Sequence, residues 1–123
     1  MDAVAKVRWP RRGEVFLVAF DPTLGSEIRK TRPALIIQND VANRYSPITI
    51  VAAITSRIDE EQYPTEVLLQ PPDGGLRVQS VVQLNQVRSI DKQRLIRRLG
   101  QLRTESMHAV DQALSIALGL VEL

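Results

Sequence analysis

The sequence predicts a mainly-β fold, a small antiparallel barrel or strongly coiled sheet with a helix at its C-terminal end. Three observations carry this expectation. Short β-branched runs recur between turn-forming residues, no long crossover helix separates them, and the apolar spacing turns helical only near the C-terminus. The first run, 15–20, follows Gly13-Glu14, ends at Asp21-Pro22 and is continuously apolar, so it reads as a strand covered on both faces. Runs 34–38 and 48–54 are two further breaker-bounded, β-branched segments and read as central strands. Between them, Asn39-Asp40 through Ser46-Pro47 is turn chemistry: Asn and Asp bond their own backbone, and Pro ends any helix. A shorter strand at 66–69 is stopped by Pro71-Pro72-Asp73-Gly74-Gly75, and a strand at 80–90 carries polar insertions at Gln83, Asn85 and Gln86. Asp91 then caps a short helix through about Leu99, with Gly100 as its stop. After Thr104, a second cap, Met107, Val110, Leu114, Ala117 and Leu118 recur at three- and four-residue spacing and mark an amphipathic helix.

With 123 residues the chain suits one domain, 11–123, preceded by an N-terminal arm, 1–10, in which Trp9-Pro10 either pins the arm or frays with it. Apolar residues at 44% and charged residues at 24% exclude disorder and low complexity. The start lacks the apolar stretch of a secretory signal, and nothing resembles a membrane span, so a cytoplasmic protein is expected. The absence of Cys excludes disulfides, thiol nucleophiles and thiolate metal sites. One His, His108, excludes a mechanism needing two imidazoles from one subunit, and helical spacing puts it on the polar side of the last helix. Asp59-Glu60-Glu61 are consecutive in a polar linker, a poor arrangement for converging on one ion, so no metal and no other cofactor are expected.

A net charge of +2 conceals strong segregation: residues 1–57 carry +4, 58–76 carry −5, 77–103 carry +6 and 104–123 carry −3. Of the 16 basic residues 13 are Arg, whose planar fork suits phosphate. Arg94, Arg97 and Arg98 read first as a solvated helix face. The segment 25–33, Gly-Ser-Glu-Ile-Arg-Lys-Thr-Arg-Pro, is more pointed: a glycine that permits an unusual turn, a carboxylate, three cations and a proline leading into a strand. Loops mounted on sheets are common seats of binding and catalysis.

The ordered motifs R-R-G-E-V-F-L-V, F-D-P-T-L-G-S-E, T-R-P-A-L-I-I-Q-N-D, P-I-T-I-V-A-A-I-T and Q-V-R-S-I-D-K-Q-R-L resemble the MazF/PemK family of toxin endoribonucleases, from Arg11 to about Leu120. The resemblance implies a small SH3-like barrel with a C-terminal helix, a homodimer, metal-independent cleavage of single-stranded RNA at a short sequence, and an antitoxin that blocks the site. It matches Arg32 to the family's catalytic arginine and Thr55 to its catalytic threonine, on adjacent strand ends.

Cleavage by the RNA's own 2′-OH needs a proton acceptor, a donor for the leaving 5′-oxygen and positive charge on the pentacoordinate phosphate. Arg32 suits the last two tasks; a guanidinium stays protonated at neutral pH and makes a poor base. Thr55 would hold a phosphate oxygen or the 2′-OH. Glu27 is the candidate for the base, or for the group that orients Arg32. Gly25, Ser26, Arg29, Lys30 and Thr31 are further candidates for RNA contact in the same loop. Aromatics are scarce at 4%, which leaves Tyr45, beside Arg44, as the stacking candidate, while Phe16 and Phe20 look buried. Asn39, Ser56 and Gln86 lie at family-like positions near the same strand ends and are candidate base readers. Where the family often carries small or Gly-containing residues, this chain has Ile28-Arg29-Lys30-Thr31, a more cationic loop that bears on sequence preference. The alternative reading is a binding protein, either a silent RNA binder or a topoisomerase inhibitor in the manner of the CcdB toxins.

Overall fold

The computed structural model describes residues 9–21 and 30–122. Six strands form one antiparallel sheet: β1 (Glu14–Asp21), β2 (Lys30–Ile36), β3 (Ile48–Thr55), β4 (Glu66–Leu69), β5 (Ser80–Asp91) and β6 (Leu95–Gln101). Their order is β4-β5-β3-β2-β1-β6. Helix α1 (Asp40–Tyr45) joins β2 to β3, and α2 (Thr104–Ala117) follows β6. The expected mainly-β fold with a C-terminal helix is present, but the sheet is open, not closed into a barrel. At the place where closure would join β4 to β6, the turn after β4 packs onto β6 backbone to backbone: a Cβ on Gly75 would sit 1.9 Å from the Leu99 carbonyl oxygen.

Alternation sorts the side chains onto two faces. On one face, Val15, Leu35, Ala52, Ile54, Val82 and Leu84 pack with Val110 and Ala113 of α2 in the larger core. On the other, Val18, Ala34, Ile36, Val51 and Ile90 form a smaller cluster, with Phe16, Phe20 and Leu95 packed against it. The run 15–20 is thus covered on both faces, as its continuous apolarity predicts, although both phenylalanines are half-buried rather than enclosed.

The segment 91–99 is not the expected helix. Asp91 does cap, its side chain accepting from the Gln93 N–H at 2.8 Å, but what it caps is a single 3₁₀ turn, Lys92–Arg94, and the chain then enters β6. The β1–β6 register pairs Val15 with Gly100, Phe16 with Arg98, Leu17 with Arg97 and Val18 with Leu95, so Leu99 and Ile96 are the extra residues of two bulges. Those bulges break the two-residue alternation and leave Leu95, Ile96 and Leu99 at a spacing that mimics a helix face. Gly100 stops nothing; it lies against the backbone of the Gly74-Gly75 turn.

Two further expectations shift. The turn chemistry at 39–47 becomes a six-residue helix, because Asn39 accepts from the Ala42 N–H at 2.8 Å and caps it. Helix α2 begins at Thr104 with Arg103 in the cap position and no side-chain cap bond; Asp73 instead anchors its start, accepting from the Arg103 N–H at 2.9 Å and from the Ser106 hydroxyl.

A buried polar knot holds α1 in place. Asn43, fully buried, accepts from the Thr49 hydroxyl at 2.8 Å and from the Gln38 amide at 3.0 Å, and returns a bond to the Gln38 carbonyl at 2.9 Å. Arg12 adds an outer clasp: its N–H donates to Asp40, its Nε to the Ile37 carbonyl, and its guanidinium pairs with Asp111 of α2 at 2.8 Å. Asn43→Ala should cost about 3 kcal/mol, since Thr49 and Gln38 would be left without their partner in the interior. Urea unfolding measures this, and an unchanged midpoint would remove the knot as a source of stability.

Candidate active site

The strand that carries Arg32 begins at Lys30, earlier than the proline suggested, so Arg32 stands on β2 itself rather than in a loop. Pairing of β2 with β3 starts at Ala34, and Pro33 sits at the end of that ladder, where a missing N–H is tolerated. Arg32 lies opposite Val18 on β1, which places it on the face of the smaller cluster, and it is exposed there. Thr55 closes β3 and shares a face with Val51, again the face of the smaller cluster. The β2–β3 register, Ala34 to Ala53 and Leu35 to Ala52, continued by two residues sets Arg32 opposite Thr55. An exposed cation and a half-buried hydroxyl therefore meet at one end and on one face of the sheet.

The Thr55 hydroxyl oxygen accepts from the Arg57 N–H at 3.0 Å. That bond fixes the oxygen and leaves the O–H free to donate, as a hydroxyl that must hold an anionic oxygen would need. Arg88, which the sequence reading left out of the site, is opposite Val51 on the same face, and its guanidinium lies 5.1 Å from the centroid of the Phe20 ring. Strand alternation is the signal that would have found it, because 88 and 90 share a face and Ile90 belongs to the smaller cluster.

Of the loop candidates, Gly25, Ser26, Glu27 and Arg29 lie outside the described residues. Lys30 opens β2, opposite Asp21, and Thr31 is exposed opposite Ala19, on the face away from Arg32. Ser56, directly after Thr55, is exposed and lines a groove of about 510 Å³ together with Pro33, Ile54, Arg77 and Arg97.

The remaining candidates are not at these strand ends. Asn39 spends its side chain capping α1, and Asn39, Arg44 and Tyr45 lie beyond the far end of β2 and before the start of β3. At about 3.3 Å per residue, the length of β3 separates them from Thr55 by roughly 20 Å. Gln86 is exposed midway along β5, in an irregularity where Ala52 pairs with Val87 but Ala53 with Gln83. The expectation that Asn39, Ser56 and Gln86 share one end fails because α1 is a helix at the opposite edge and Gln86 lies in the irregularity that β5 makes after leaving Val81, opposite Thr55.

At that opposite edge Arg44 lies over two rings, its Cζ 4.9 Å from the Trp9 centroid and 5.1 Å from that of Tyr45. Trp9 is half-buried and Pro10 buried, so the end of the N-terminal arm is pinned. His108 is exposed on α2. Among the described residues no three His, Cys, Asp or Glu side chains converge as metal ligands, and no helix is long and apolar enough to cross a membrane.

Residues 11–118 match the family model described as the PemK-like, MazF-like toxin of type II toxin–antitoxin systems. Endoribonuclease EndoA of Bacillus subtilis is 45% identical over 112 residues, which cover 91% of this chain and 97% of that protein. Among solved structures, MazF from Deinococcus radiodurans superposes with a TM-score of 0.73 at 28% identity, covering 91% of this chain and 98% of that one. An endoribonuclease from a mycobacterial species in complex with its cognate antitoxin has a TM-score of 0.75 at 27% identity, covering 93% of this chain and 99% of that one.

Proposed function

The chain belongs to the PemK-like, MazF-like toxin family of type II toxin–antitoxin systems, and from that premise we infer that it is a toxin endoribonuclease in which Arg32 and Thr55 act on one phosphodiester. The observation that carries the assignment of these two residues is their position: same face, same end, adjacent strands in register. The substrate's 2′-oxygen attacks the neighbouring phosphorus, the bond to the 5′-oxygen breaks, and a 2′,3′-cyclic phosphate and a 5′-hydroxyl result. Charge builds on the nonbridging oxygens during this exchange, and the Arg32 guanidinium is placed to neutralise it and to donate to the departing 5′-oxygen. The Thr55 hydroxyl holds a phosphate oxygen or the 2′-OH. Glu27 is assigned the task of taking the 2′-OH proton or of orienting Arg32. Exposed sites on a rigid sheet suit single-stranded RNA, whose bases and phosphates are both accessible.

A homodimer and a cognate antitoxin belong to the same reading. Leu118, Leu120 and Val121 are 59%, 71% and 51% exposed at the end of α2, apolar surface that a second copy would cover. Sequencing the ends of transcripts incubated with the pure protein tests the activity. A recurrent short word at the cut, with 5′-hydroxyl ends and the same yield in excess EDTA, is the expected result; uncut transcripts would defeat the reading, and loss of cutting in EDTA would defeat its metal independence.

A further inference from the structure

Three planar groups cluster at the edge of the sheet far from Arg32: the Arg44 guanidinium lies over both the Trp9 indole and the Tyr45 phenol, 4.9 and 5.1 Å from their centroids. Tyr45 is 73% exposed, so a face of its ring is open to a ligand. Trp9 and Arg44 line a groove of about 900 Å³ whose other lining includes Arg11, Lys92 and Arg98 against one carboxylate, Glu14, while Tyr45 stands outside it and meets it through Arg44. That carboxylate is already occupied: one oxygen accepts from Arg98 Nε at 2.7 Å and the other from the Arg11 N–H at 2.7 Å. Lys92 donates to the Asn43 carbonyl, which ties the cationic lining to the buried knot under α1. Among the described residues neither Arg11 nor Arg44 is ion-paired.

We propose that this groove is a second binding platform for the single-stranded RNA substrate, holding nucleotides several positions away from the bond that is cut. The inference rests on the endoribonuclease reading and adds a site to it. Sequence-tolerant single-strand binding combines π-faces on which bases stack with cations that follow the phosphates. Both are present, and stacking on Trp9 and Tyr45 holds the Arg44 plane before any ligand arrives, which lowers the ordering cost of binding. Roughly 20 Å along the sheet separates the platform from Thr55, so a short oligonucleotide carrying only the cut word reaches one of the two sites and a longer one reaches both.

The test compares kcat/KM for two RNAs, the cut word alone and the cut word extended by about 12 uridines on one side and then on the other. Wild-type protein should favour one extended RNA. Arg44→Ala and Tyr45→Ala should each lower the extended-to-short ratio roughly tenfold, through KM, and Tyr45→Phe should restore it. The slope of log affinity against log salt, measured on the extended RNA with a 2′-O-methyl group at the cut, should fall by about 0.7 in Arg44→Ala. Equal ratios in wild type and both alanine variants, with melting curves unchanged, overturn the proposal. If instead the variants keep the RNA ratio but lose binding to a glutamate-rich peptide, the groove is a protein-docking surface and the proposal is also overturned. Wild-type protein that cuts neither RNA refutes the nuclease reading alone, since anisotropy with labelled oligouridylate still reads the platform.

Discussion

Arg32→Ala should lower kcat for RNA cleavage by about a hundredfold to a thousandfold while leaving the melting curve where it is. The magnitude follows from the loss of one preorganised donor at a site of developing charge. The structural half of the prediction follows from position. Arg32 is exposed, and the apolar packing of β2 comes from Ala34, Leu35 and Ile36 further along the strand. A backbone position inside the β1–β2 ladder, opposite Val18, is insensitive to what the side chain carries. Cleavage at the wild-type rate would remove Arg32 from the chemistry; loss of cleavage together with a lower melting temperature would show that it acts through the fold.

Gly100→Ala is expected to destabilise the fold strongly. A Cβ at Gly100 would lie 2.6 Å from both the Gly74 carbonyl carbon and the Gly75 nitrogen, closer than a carbon can approach backbone atoms. The turn cannot retreat, because Asp73 is committed to the start of α2 and Gly74 packs on Leu102 and Val15. Nor can β6 retreat, being paired with β1. Overpacking of this kind costs roughly 3 kcal/mol, which for a chain of this size lowers the melting temperature by about 10 °C. Gly119 supplies the comparison: its φ is +74° but nothing lies within 4 Å, so Gly119→Ala should cost about 1 kcal/mol. Equal melting of the two variants would mean that the contact between turn and strand is not a constraint.

Strands β1, β3, β4 and β5 were legible in the sequence because each is a β-branched run between breakers, and α2 because its apolar spacing is helical over 14 residues. What was not legible depends on distant parts of the chain. Strand β6 was read as a helix because Leu99 and Ile96 bulge against β1, a partner some 80 residues earlier in sequence. Thr104 does not cap α2, whose start is anchored by Asp73 from some 30 residues earlier. The site divides the same way. Motifs single out Arg32 and Thr55, and the β2–β3 register continued by two residues sets them opposite each other. Arg44 and Tyr45, by contrast, looked near the site only because the chain between β2 and β3 is short; a strand crosses the whole sheet in a few residues and delivers its two ends to opposite edges.

The pairing of β1 with β6 has a consequence for how this protein is made. Strand β1 is finished early on the ribosome, yet one of its edges stays bare until residues 95–101 emerge, because Glu14 finds its partner only at Gln101. The sheet that carries Arg32 and Thr55 is therefore completed only by a strand some 80 residues further along the chain, a pairing of high contact order that waits on synthesis.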